Sequence, residues 1–130
     1  MDIKEVSALT GIKAHTLRYY ENIGLINNIT RDSNGRREYS ENDIKWIEFL
    51  KRLKETGMKL SKMKKYVELK NIGSTTIKER KVLLQVHAEN IENEIKKLSG
   101  TLEYIYNKID IYKKMEEKKD EKKWETIKGL

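Results

Sequence analysis

The sequence predicts a mainly α fold: a small helical domain carrying a two-stranded ribbon, followed by one long helix. Three observations carry this reading. Two short apolar-periodic segments meet at Gly11. The cluster Asp32-Ser33-Asn34-Gly35 interrupts the helical pattern between Leu25 and Tyr39. From Leu84 to Tyr112, apolar residues recur alternately four and three positions apart without a break. The composition agrees, with 37% apolar and 38% charged residues among 130. That balance suits a small core plus a long helix exposing most of its surface. There is no proline to interrupt a helix.

The first helix opens at Asp2-Ile3-Lys4-Glu5, where Asp2 accepts backbone N–H groups and Glu5 reaches back in a capping box. Ile3, Val6 and Leu9 give it an apolar face, and Gly11 stops it. The second helix is expected from about Ala14 to Asn22, ending at Gly24. Leu17, Tyr20 and Ile23 share one of its faces, while Arg18, Tyr19 and Glu21 point elsewhere. Two short helices about a glycine turn, over about residues 2–24, make a helix-turn-helix. Such a unit puts the start of its second helix into the major groove, here Lys13, His15, Thr16, Arg18 and Tyr19.

Residues 25–39 then read as a small wing. Leu25-Ile26 and Ile29 supply extended apolar positions, Asn34-Gly35 favours a tight hairpin, and Arg36 and Arg37 return on the second strand. A ribbon beside a reading helix lies over the phosphate backbone, so these arginines are expected to contact phosphates.

A helix pair is expected over residues 40–70. Ser40 to Asp43 starts the third helix, with Ile44, Trp46, Ile47, Phe49, Leu50 and Leu53 at helical spacing up to Gly57. The fourth begins at Leu60-Ser61 and turns Met63, Tyr66, Val67 and Leu69 inward. Asn71-Ile72-Gly73-Ser74 closes a domain of residues 1–73. Thr76-Ile77-Lys78-Glu79 reads as another capping box, opening the long helix of residues 74–112. Its stripe is Leu84, Ala88, Ile91, Ile95, Leu98, Leu102, Ile105, Ile109 and Tyr112, a coiled-coil pattern on a rod of about 55 Å. The small domain cannot cover such a stripe, so a homodimer is expected; pattern alone leaves the strand direction open. Gly100 falls on an outward position. Residues 113–130 are mostly charged and read as a solvated or frayed tail, with Trp124 and Ile127 able to fold back as a cap.

The formal net charge is +7, from 28 Lys and Arg against 21 Asp and Glu, and the excess lies mainly in residues 1–70. A basic half suits a polyanion, nucleic acid first. The absence of cysteine excludes disulfides and thiolate-bound metal. His15 and His87 are too few and too distant for a metal site, so neither metal nor cofactor is expected. No nucleophile elbow, phosphate-cradling loop or activated nucleophile appears, so no enzyme is expected. There is no apolar run of about 18 residues and no signal peptide, which predicts a cytoplasmic protein with no membrane partner.

The order of elements and certain motifs resemble the MerR family of bacterial transcription regulators. The residues are Thr16-Leu17-Arg18-Tyr19-Tyr20-Glu21 with Gly24-Leu25, then Arg37-x-Tyr39-Ser40 with Asp43-Ile44, and Leu53-x-x-x-Gly57. Glu79-Arg80 with Leu83-Leu84 and His87, and Lys108-Ile109-x-x-Tyr112, are similar to the small-effector branch. The resemblance runs nearly to Tyr112.

The resemblance implies a homodimer joined by an antiparallel coiled coil, on a pseudo-palindrome in promoter DNA whose elements stand too far apart. The active form bends and untwists that DNA for RNA polymerase. It further implies that Arg18 and Tyr19 grip the duplex, that Tyr20 and Lys54 hold its distorted centre, and that Arg37 and Tyr39 act from the wing. Lys13 stands where the family often has a capping Ser, and His15 where it often has a basic residue, so operator preference does not carry over. The cysteines of the metal-sensing branch and the long effector domain of the multidrug-sensing branch are absent from this chain.

Several residues keep two readings. Tyr20 is either a DNA contact or a core side chain, and Lys54 a contact or a solvated lysine. Tyr104, Tyr106, Tyr112, Met115 and Trp124 either line a pocket for an unknown small effector or belong to the coiled-coil rim and tail. The competing function is a coiled-coil adaptor or architectural protein that binds nucleic acid without sequence preference or docks a protein.

Overall fold

The computed structural model describes residues 1–118. It contains helices α1 (Ile3–Thr10), α2 (Ala14–Asn22), α3 (Glu41–Glu55), α4 (Leu60–Ile72) and α5 (Ile77–Lys118), with strands β1 (Thr30–Arg31) and β2 (Arg37–Glu38) between α2 and α3. Two compact units emerge, Met1–His87 and a second beginning at Ala88. The first therefore extends beyond the expected boundary at residue 73.

Local signals explain most element ends. Asp2 and Glu5 form their reciprocal capping box, as do Ser40 and Asp43. Gly11 ends α1 at φ 75°, a left-handed conformation that costs a residue with a Cβ. Along α1 the inward residues are Val6 and Thr10, while Leu9 stands 58% exposed. Steps of three drift around a 3.6-residue helix, so the expected Ile3-Val6-Leu9 face gives way to Ile3-Val6-Thr10. The Thr10 hydroxyl is satisfied by donating to the Val6 carbonyl at 2.8 Å.

The wing is smaller than expected. Its antiparallel strands pair Thr30 with Glu38 and Arg31 with Arg37 only. Leu25 and Ile26 lie outside it, fully buried in the bend after α2. The Asp32 carboxylate locks the turn by accepting from the amides of Asn34 and Arg36, each at 2.9 Å.

Val6, Leu17, Tyr20, Leu25, Ile26, Tyr39, Ile47, Leu50, Leu53, Met58, Met63 and Val67 form one core. Beside it, Trp46 stacks on Tyr66 at 6.0 Å and donates from Nε1 to the Leu25 carbonyl at 2.8 Å. Lys70 Nζ caps the Trp46 ring at 3.6 Å. Burial, and then the charge of Arg80, hold the Lys70 pKa below its ordinary value.

The joint before α5 departs from the expected capping box. Thr76 sits at the end of a 3-10 turn, and its hydroxyl donates to the Leu69 and Gly73 carbonyls rather than accepting from the Glu79 amide. Closing the end of α4 has taken the hydroxyl that would have opened α5. Arg80 completes the joint, donating to Thr76 Oγ1 and the Gly73 carbonyl at 3.1 Å each. Leu83 and Leu84 pack on the core, so Leu84 belongs to the domain and not simply to the expected seam. His87 is buried and bonds the Thr56 hydroxyl through Nε2 at 2.8 Å.

In the second unit the helix continues past Tyr112 to Lys118. The charged residues after Tyr112 end the apolar register but are good helix formers, so loss of periodicity did not end the helix. Ile95, Leu98, Leu102, Ile105, Ile109 and Tyr112 are all exposed, Ala88 is exposed and Ile91 half-buried. Tyr104 and Tyr106 are exposed and, two residues apart, lie on opposite sides of the helix. Met115 is half-buried; Trp124 lies outside the described residues.

Candidate nucleic-acid interface

Helix α2 is amphipathic across its nine residues. Leu17 is fully buried and Tyr20 nearly so, which anchors the helix in the core. His15, Arg18 and Tyr19 are exposed, and Thr16 is half-buried. Lys13 occupies the N-cap in an extended conformation and makes no side-chain capping bond. A helix N-terminus without a side-chain cap offers amide donors and partial positive charge, which suit a phosphate oxygen.

An open recess of about 270 Å³ flanks α2, lined by Lys13, Thr16 and Tyr20 on one side and Lys51, Lys54 and Glu55 of α3 on the other. It brings Tyr20 and Lys54 together, although they are far apart in sequence. Tyr20 is a core side chain that also lines the recess. Its phenol pKa is raised, by burial first and by neighbouring Tyr19 second. Lys54 is exposed.

The wing side differs from expectation. Arg37 is half-buried and donates from Nε to Glu21 Oε1 at 3.1 Å. Arg31 donates from Nη2 to the same oxygen at 3.1 Å. Thus Arg37, expected as a phosphate contact, is first a link between wing and helix. Tyr39 is 3% exposed and belongs to the core, and its amide donates to the Met1 carbonyl at 2.8 Å. Burial raises its pKa, opposed by Arg37, aided by Glu21, and opposed by Arg31 and Arg18. Arg36 is exposed.

Glu21, Arg31 and Lys51 do not stand out as functional in the sequence. Glu21 carries a signal, as the last residue of the Arg-Tyr-Tyr-Glu run. The other two are placed only by strand register and helix packing.

A family model described as MerR HTH family regulatory protein matches residues 1–70, covering all of α1 to α3, the wing and most of α4. This chain belongs to the MerR family. It is a MerR-type transcriptional regulator. An uncharacterised HTH-type transcriptional regulator of Haemophilus influenzae is 38% identical to it over 104 residues, which span 80% of this chain and 77% of that protein. The solved structure of HiNmlR, a MerR family regulator lacking the sensor domain and bound to promoter DNA, matches at a TM-score of 0.80 and 34% identity, covering 88% of this chain and 91% of that one. A MerR family regulator of Listeria monocytogenes matches at a TM-score of 0.86 and 30% identity, over 100% and 99% of the two chains.

Proposed function

We propose that this MerR regulator acts in the cytoplasm as a homodimer on a pseudo-palindromic promoter site and controls RNA polymerase by distorting the DNA. The observation that carries the reading is the exposed face of α2, with His15, Arg18 and Tyr19, beside a basic wing and the Lys51-Lys54 recess. In this reading Lys13, His15, Thr16, Arg18 and Tyr19 enter the major groove and Arg36 meets phosphate. Lys54 and the edge of Tyr20 meet the backbone near the centre of the site. Energy differences in deforming the central steps then set the response. Two such domains span two half-sites only if the chains pair. The exposed stripe from Ile95 to Tyr112 supports a second copy as its partner. The same proposal gives Tyr104, Tyr112 and Met115 to an effector pocket that the second copy would complete.

Gel-shift titration tests this against the adaptor reading. The protein should prefer the duplex upstream of its own gene to a random duplex. Arg18→Ala should lose about 1–3 kcal/mol of that preference. Equal affinity for both duplexes, with a small uniform loss in Arg18→Ala, would overturn it in favour of the adaptor.

A further inference from the structure

We propose that Glu21 is a positioning residue for the DNA interface. Its carboxylate clamps the paired wing arginines Arg31 and Arg37 to the last turn of α2, and so sets where the wing meets the phosphate backbone. The inference rests on the function proposed above and deepens it.

The wing cannot set its own position. Each strand is two residues long, and an isolated ribbon of that size is marginal in water. Its register places Arg31 directly opposite Arg37, and like charges across an antiparallel pair are destabilising. Both guanidiniums converge on one oxygen, Glu21 Oε1, at 3.1 Å each. The Glu21 and Arg37 side chains are only 21% and 23% exposed, so their pair is partly shielded from water. Arg31 also reaches the turn, with Nη1 donating to the Gly35 carbonyl at 3.4 Å. Since Asp32 locks that turn internally, the wing moves as a unit and Glu21 holds it to α2.

The position of Glu21 is otherwise unfavourable. An acid in the last turn of a helix opposes the helix dipole. On the element that faces a phosphate backbone it also repels the ligand. The two arginines resolve both conflicts, and one carboxylate against two guanidiniums leaves a positive excess. A guanidinium has five N–H donors, so using the Nε–H of Arg37 leaves its terminal groups able to reach a phosphate.

Fluorescence anisotropy with the upstream duplex and a random duplex, each over a salt series, tests the proposal on the full-length protein. Glu21→Gln should lower affinity for the upstream duplex about tenfold. It should leave affinity for the random duplex unchanged or raised, because a negative charge has gone. The salt slope on the upstream duplex should fall by about 1 for each phosphate that the displaced wing no longer neutralises. Arg37→Lys keeps the charge but removes the Nε–H, and should show the same loss on the upstream duplex with the random duplex unchanged. The double variant should be no worse than either single one, because both break the same link.

Tighter binding of Glu21→Gln to both duplexes would overturn the proposal and leave Glu21 as a mere repeller of phosphate. Equal loss on both duplexes would mark general unfolding and overturn it too, as would additive losses in the double variant. Failure of the unaltered protein to discriminate the duplexes would instead remove the function on which the proposal stands.

Discussion

The two compact units solve the burial problem in opposite ways. Met1–His87 encloses its own core, with Leu17, Leu25, Ile26, Ile47, Leu50 and Met63 essentially inaccessible. From Ala88 to Lys118 the helix has no buried residue among those described, and Leu98 is 66% exposed. Yet the second region is just as regular in sequence. Periodicity therefore reports that a face will be covered, and only the neighbouring elements say by what. In the first unit α1, α3, α4 and the start of α5 supply the cover; in the second, another chain is the proposed cover.

The largest expected effect separates the two units. Ile95→Asp or Leu98→Asp should abolish dimerisation, since a charge buried in an apolar seam costs several kcal/mol. Sedimentation should then show a monomer that binds DNA weakly, while the melting of the first unit stays near its original temperature. An unchanged dimer would break the comparison. Leu17→Ala makes the converse cut. Removing this fully buried side chain should cost the domain about 2–5 kcal/mol, read as a lower urea midpoint, with the dimer retained below the transition.

A smaller effect sharpens the contrast through pH. Tyr20 and Tyr39, both in the first unit, have raised phenol pKa values, chiefly through burial. The folded state thus holds these protons beyond the pH at which the unfolded chain releases them. Their contribution to stability is complete below the ordinary tyrosine pKa of about 10 and is lost as pH rises through the folded values. Urea titrations at rising alkaline pH should show this decline. Replacing both residues by Phe should flatten it. The smallest expected effect is a gain. Gly100 lies mid-helix, and an added Cβ would meet nothing within 4 Å. Gly100→Ala should stabilise the second unit by about 1 kcal/mol, read from the helical signal on heating.

Where a residue type dictates its own backbone, the sequence was legible. Gly11 and Gly24 bracket α2, and Ser40 with Asp43 opens α3, as expected. Legibility failed where one group had competing partners. The Thr76 hydroxyl has carbonyls of α4 within reach, which no local pattern reveals. It failed also where spatial register decides. Arg37 reads as a free phosphate contact until its pairing with Arg31 and its bond to Glu21 are seen. The burial of Tyr39 in the core was likewise not legible from the wing pattern. The motif marked α2 and the wing but not the bonds that tie them together.

The proposed division between a self-contained unit that meets DNA and a helix that pairs with a second copy is tested most directly by stoichiometry. Sedimentation velocity of the labelled upstream duplex, titrated with the protein, should move directly from free DNA to a complex holding two chains. A saturated complex holding one chain at undiminished affinity would contradict the account.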